Sequence, residues 1–431
     1  VNTDSLTADG DGLLDVYITC TLDQPIEATL EAQGTSKSNS FIGPGLQVGL
    51  SHKNYLGGAE RLSANLKGSY EWQTNSAKGG RAQDINSYEL GLDVNFDIPR
   101  LLAPKFVKRS SRYVNWTKFS LNADLMNRPN YFKMVQFGGQ MQWEWHHNRK
   151  STHQFTPFKL RYNKLISKTA AFDSAMESNP ALAQSFRNVF IPEIQYTYTY
   201  DNSFGPNNIT WTSTVSEAGS IFSGIWSICG AKGVKKLFGT PFSQFVRAQT
   251  QVVWNRKIGS MNLVSRFLLG AAHAFGNSSE VPYSAQFYIG GANSVRAFPV
   301  RSIGPGRYCP TEIRPNGYYD QTGTFKFETN CELRFPILGY LKGALFLDAG
   351  NVWLLKKDDY RPGGEITLKH FLNDLALGTG VGVRFDMDML VLRADLGIGI
   401  HAPYDTGKSG YFNMPSFKDS LGFHLAIGYP F

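Results

Sequence analysis

From Leu421 to Phe431 the large apolar positions are Leu421, Phe423, Leu425, Ile427, Tyr429 and Phe431, and between them lie Gly422, His424, Ala426, Gly428 and Pro430. The period is two, as in a strand with one apolar face. The alternation runs to the last residue of the sequence and closes on aromatic side chains, with Phe423, Tyr429 and Phe431 as its aromatic positions. A segment of about 9–11 residues with this pattern fits a tilted strand crossing a bilayer. The same alternation recurs along the chain after Pro25. It predicts strands over Ile26–Thr35, Ile42–His52, Arg61–Trp72, Ser87–Phe96, Thr117–Leu125, Phe132–Trp145, Phe155–Leu165 and Ile194–Tyr200. The second half adds Ile209–Val215, Gln244–Trp254, Met261–Ala271, Thr324–Phe335, Gly343–Trp353, Leu377–Phe385, Leu390–Ile400 and Ser420–Phe431. An even count of about sixteen suits a single-chain transmembrane β-barrel.

The connections support the same architecture. One set is short, as at Lys53–Gly58, Asn148–Thr152, Ser203–Asn208, Arg256–Ser260 and Pro336–Leu341. The other is longer, as at Thr169–Pro192, Gly219–Pro241, His273–Gly323, Leu355–Asp374 and His401–Asp419. Such asymmetry belongs to barrels with tight turns on one side and loops on the other. Helix-favouring composition over Thr169–Asn188 predicts a short helix there. Faces can be read directly in the last third. Between Thr324 and Phe335 one face carries Phe325, Phe327, Leu333 and Phe335, the other Lys326, Glu328, Asn330, Glu332 and Arg334. Mixed charge on an inner face points to a polar lumen, against the competing soluble sandwich.

Composition narrows the classes. The chain has 431 residues, 43 glycines, 13% aromatic and 18% charged residues, with mean hydropathy -0.26. No apolar run approaches the roughly 18 residues of a spanning helix, so a membrane reading rests on strands. Net charge is +8, but the basic residues are scattered, so no nucleic-acid partner is expected. Arg100, Lys105, Lys108, Arg109 and Arg112 stand beside Leu101, Leu102, Phe106, Tyr113 and Trp116. That turn suits lipid headgroups, or is an ordinary solvated connection. Cys20, Cys229, Cys309 and Cys331 have no zinc-ligand spacing, so neither metal nor cofactor is expected. A disulfide between Cys229 and Cys309, both in long loops, is an expectation that spacing leaves open. No Gly-x-Ser-x-Gly elbow, HExxH or P-loop occurs, and adjacent His146 and His147 face opposite sides of a strand. No catalytic residue is assigned and no enzyme is expected. Residues 1–24, with alternation over Leu13–Leu22, read as the end of a small domain, and residues 25–431 as the barrel. The polar opening stretch is read as a processed or truncated start, with further domains upstream.

The longest loop, placed at 273–323, contains FYIGGANSVRAFPVRSIGPG from Phe287 to Gly306. Gly290 and Gly291 permit positive φ, and Arg296 lies between Val295 and Phe298 with Ala297 beside it. An arginine taken out of water needs an acceptor. Asp348, between Phe346 and Gly350 on an inner face, is one candidate. The alternative leaves Arg296 exposed and pairs Asp348 with Arg384 or Arg393.

These residues resemble the outer-membrane barrel-assembly superfamily of BamA- and TamA-like proteins and two-partner secretion transporters. GGANSVRAF resembles its loop signature, with Ala297 where the family carries glycine. Phe346, Asp348 and Gly350 match its Phe-x-Asp-x-Gly motif, and Asn54–Gly58 resembles its early turn. SVRAFPVRSIGPG looks closer to TamA-like proteins of the TamL branch than to BamA itself. The resemblance implies that residues 1–24 end the last periplasmic POTRA domain, through which a periplasmic or inner-membrane partner would act. It implies a factor that inserts or exports client β-barrel or secreted proteins through a lateral seam between first and last strands. The seam would run along Ala28, Leu30 and Ala32 on one side, weak where Ala28 and Ala32 replace larger apolar residues, and along Gly422, Gly428 and Pro430 on the other. A two-partner-secretion-type transporter and a passive outer-membrane channel are the alternative readings.

Overall fold

The computed structural model describes residues 24–36, 41–73, 86–103, 112–129, 132–177, 188–228, 233, 235–237, 240–309, 321–387 and 390–431. The segment 1–23, and with it the proposed domain end and Cys20, lies outside them. So does Cys229, which leaves its pairing with Cys309 an expectation.

Sixteen antiparallel strands form one sheet in sequence order. They are β1 (Ile26–Ser36), β2 (Phe41–His52), β3 (Arg61–Gln73), β4 (Asn86–Ile98), β5 (Trp116–Arg128), β6 (Phe132–Asn148), β7 (Ser151–Lys168) and β8 (Val189–Phe204). There follow β9 (Asn207–Ala218), β10 (Phe245–Ile258), β11 (Met261–Ala274), β12 (Phe325–Leu338), β13 (Leu341–Trp353), β14 (Ala376–Asp386), β15 (Val391–His401) and β16 (Leu421–Ile427). Most extend past the alternating segments, because a ladder continues wherever backbone groups find partners, whatever the side chains. β16 is the exception: it ends at Ile427, not at Phe431. Gly428 has φ 83°, which turns the chain away from the sheet.

The tight turns and the basic connection after Arg100 share one end of the barrel, so that connection departs from its neighbours in length and not in side. At the other end the connections at 37–40 and 129–131 are as short as turns, that at 74–85 has twelve residues, and the longest loops follow β7 onward. They carry two short helices, α1 (Ala170–Glu177) and α2 (Ser220–Ile228). The first falls in the stretch read as helical; the second was not anticipated.

Alternation decides the two faces. Leu345, Leu347, Val381, Val383, Phe423, Leu425 and Ile427 are exposed on the outside, while Asn330, Asp348, Arg384 and Asp395 are buried on the inside. No helix is long and apolar enough to cross a membrane among the described residues; the crossing elements are strands. The interior is filled unevenly. The largest buried apolar cluster joins Ile289, Val295, Phe298 and Ile303 of the β11–β12 loop to wall residues Ala272, Val352, Ala376 and Ala402. Each large side chain so buried contributes about 1.5–3 kcal/mol.

Candidate functional site

The loop between β11 and β12 folds back into the barrel, and its glycines set its course. Gly290 and Gly291 take φ of 97° and 89°, and a Cβ on Gly290 would strike the carbonyl oxygen of Pro299. The returning strand of the loop closes on them: Gly291 N–H donates to Phe298 O (2.8 Å), and Phe298 N–H to Val295 O (3.1 Å). The tip at Arg296 is therefore a tight turn with a fixed direction.

Arg296 is fully buried. Its Nε donates to Asp348 Oδ2 at 2.8 Å and its Nη2 to Asp348 Oδ1 at 2.9 Å, while its backbone N–H adds 3.1 Å to the same carboxylate. Such a two-pronged pairing fixes direction as well as charge. Nη1 donates to Glu332. The guanidinium lies over the Phe346 ring, 3.5 Å from its centroid. Asp348 is thus paired with the loop, and the wall arginines find other partners. Arg384 meets Glu332 at 3.2 Å and Asp395 at 2.6 Å, and Arg393 meets Asp395 at 3.2 Å. Arg266 donates to Asn293 O (2.8 Å) in the loop, to Asn330 and to Glu328. Asn330 Nδ2 bridges Ser294 O (3.0 Å) and Asp348 Oδ1 (2.8 Å). Charges taken this far from water persist only where each has a partner.

The wall opposite the tip has no side chains to spare. A Cβ on Gly397 would lie 2.5 Å from Arg296 O, one on Gly422 2.7 Å from the same atom, and one on Gly378 2.5 Å from Ala297 Cβ. Gly422, read from sequence as a weak point of the seam, is a bed for the loop. Ala297 occupies the family's glycine position without positive φ, and its methyl uses the room Gly378 leaves. His424 Nε2 donates to Arg296 O (2.9 Å), so the tip touches β16 itself.

Beyond Gly428 the chain crosses the inside of the turn end. Tyr429 Oη donates to Asp386 Oδ2 (2.7 Å), which also accepts from Lys342 Nζ (2.6 Å). Arg334 stands over the Tyr429 ring at 4.2 Å, and Arg266 over Phe431 at 4.9 Å. Pro430 is buried. Of the aromatic positions read as facing lipid, Phe423 does so, at 64% exposure, and Tyr429 and Phe431 do not. No ladder joins β1 to β16 among the described residues. Ala28, Leu30 and Ala32 of β1 are exposed, Leu30 to 73%.

Sequence reasoning named Arg384 and Arg393 only as alternative partners of Asp348, and did not single out Glu332, Asp395 or His424. A signal for the glycine bed was present: Gly378, Gly380 and Gly382, then Gly397 and Gly399, fall at period two on inner faces. The early turn is built locally, with Ala59 N–H donating to Asn54 Oδ1 at 2.8 Å and Gly57 at φ 88°.

The profile of the Omp85 superfamily domain matches residues 54–431. The outer membrane protein assembly factor BamA of Neisseria meningitidis serogroup B is 34% identical over 90 residues, 20% of this chain and 11% of that protein. The chain thus matches about a tenth of that relative's length. Among solved structures, BamA from Haemophilus ducreyi lacking POTRA domains 1–3 superposes with TM-score 0.57 at 14% identity, covering 94% of this chain and 70% of that one. CdiB from Escherichia coli gives TM-score 0.50 at 13% identity, over 95% and 63%. These likenesses carry the fold.

Proposed function

This chain belongs to the Omp85 superfamily, an integral β-barrel of the bacterial outer membrane, and from that premise we propose that it assembles or translocates client proteins at that membrane. The observation that carries the reading is the pair of unladdered edges, β1 and β16, with the loop tip resting on β16 through His424 and Gly422. An edge strand with free N–H and C=O groups is a template for another strand. A client strand adds to it by β-augmentation, and the free backbone groups supply the affinity. Such an edge is costly in hydrocarbon unless something covers it; the client is that cover during transfer. The Arg296–Asp348–Glu332 cluster holds the loop, and the loop holds the last strand in place.

Residues 1–24 in this reading close a periplasmic domain that presents partners or clients to the turn end, and the reaction involves no bond chemistry. Export through the lumen, the alternative, would require the loop to leave its buried ion pairs.

The test is a cysteine pair across the seam on the outward face, Ala32→Cys with Leu425→Cys or outward neighbours in register, in a background lacking the native cysteines. Oxidation should abolish client assembly and reduction should restore it. Undiminished assembly by the locked protein rejects the lateral route. Loss of assembly by the reduced pair as well would mark a folding defect, which heat-modifiable migration on gels detects.

A further inference from the structure

Helix α2 follows the ninth strand after a single residue, Gly219, whose φ of 84° turns the chain outward. Its first turn is tied to the outer side of the wall, since Ser220 N–H donates to Glu217 Oε1 at 2.8 Å, and Glu217 shares the outward face of β9 with Trp211 and Val215. Phe222 packs on Phe242 with ring centroids 6.4 Å apart, and Phe242 bridges to Phe190. Phe190 in turn meets Tyr162 at 5.9 Å on the outward side of β7 and β8. Lys235 Nζ reaches Ser223 O and Ser227 Oγ, both at 3.3 Å, and holds another side of the helix. The helix is therefore strapped to the outside of the barrel and does not cap its mouth.

The face left over is apolar. Ile221, Ile225 and Ile228 fall at i, i+4 and i+7 and are 54%, 53% and 88% exposed, and Gly224 between them adds no bulk. In water this face would be unfavourable: three large aliphatic side chains on one helical stripe are what an interface covers. The height of the helix says which interface. β9 has 12 residues. At about 3.3 Å per residue and a tilt near 40° such a strand climbs about 30 Å, the whole apolar band of an outer-membrane barrel. A helix starting just past its end lies where acyl chains meet headgroups. Its stripe continues the lipid-facing face of Val215 and Val246, which are 50% and 39% exposed. Lys236, exposed beside it, is placed at the polar edge of the same boundary.

We propose that α2 is an interfacial anchor, lying in the outer leaflet with Ile221, Ile225 and Ile228 among the lipid acyl chains. It stands on the ninth of sixteen strands, half a barrel away from the unladdered edges. It fixes the far wall to the leaflet, so that movement is concentrated at the seam. The inference needs only the barrel and its membrane, and stands whether or not clients use that seam.

The experiment is nitroxide labelling of Ile225→Cys in a background whose native cysteines are serine, reconstituted in vesicles of phosphatidylethanolamine and phosphatidylglycerol. Power saturation compares oxygen with a water-soluble nickel chelate. Label at Ile225 should favour oxygen several-fold over label at Asp359→Cys on the exposed rim, and should match label at the outward Leu345→Cys. Nickel accessibility equal to that at Asp359 overturns the proposal. Dipolar broadening that survives dilution with excess lipid overturns it as well, since the face would then be covered by a second copy. Ile221→Cys repeats the measurement if Ile225→Cys fails to give a heat-modifiable barrel.

Discussion

Arg296 is the residue on which the loop depends, and its surroundings set what its loss would do. Removing the guanidinium leaves Asp348 and Glu332, both fully buried, as carboxylates without their main cation. Breaking a buried pair in this one-sided way costs about 3–5 kcal/mol. Arg296→Ala should therefore still form a barrel but expose residues 275–309 to protease and lower the midpoint of the heat-modifiable transition. Arg296→Lys keeps charge without the planar fork and should fall between the two. The glycine bed gives a second expectation. Gly397→Ala places a methyl 2.5 Å from Arg296 O and should loosen the loop, whereas Gly68→Ala, whose nearest neighbour would be 4.0 Å away, should leave protease protection unchanged. The Arg296 and Asp348 positions were legible because parity and a short motif each singled out one residue. Glu332 was not, because Glu328 and Glu332 look alike along β12, and only the stagger of neighbouring strands decides which of them meets the tip.

At the level of elements, alternation located every strand of the sixteen-stranded sheet because the outer face is apolar in nearly all of them. It failed at the end of β16 for a physical reason. Gly422 and Gly428 sit in the same kind of alternating surroundings, yet one stays extended to admit the loop and the other turns the chain at φ 83°. Helix α2 was hidden because Ser220–Ile228 is apolar and short, and Ile221 and Ile225 also fit one face of a strand. The edge elements carry a testable consequence. Among the described residues β1 and β16 each have one sheet neighbour, and β16 is only seven residues long. Local opening costs least where few contacts resist it. Hydrogen–deuterium exchange in detergent should be orders of magnitude faster in β1 and β16 than in β12 and β13; equal protection would mean that the two edges are laddered in solution.

The whole molecule divides into two unlike halves. Around β11–β15 the lumen is packed with loop, ion pairs and aliphatic side chains. Around β1–β5 no such insert is seen among the described residues. The sequence shows a barrel but not this division, because polar inner faces look the same whether they meet water or a loop. On the packed side Arg296, Arg384 and Arg393 are spent on carboxylates within reach. On the other side Glu27, Glu31, Glu71, Glu89, Asp93 and Asp124 project inward from the first five strands, and lysines reach several of them: Lys67 meets Asp93 and Asp124 at 3.2 Å each, and Lys53 meets Glu27 at 3.3 Å. Whatever current leaks through such a wall is carried along an acidic flank. In a planar bilayer under a potassium chloride gradient the reversal potential should carry the sign of potassium permeation, and neutralising Glu89 and Asp124 should move it toward zero. The sign of that voltage would report, from outside the molecule, which flank of the lumen the loop has left to water.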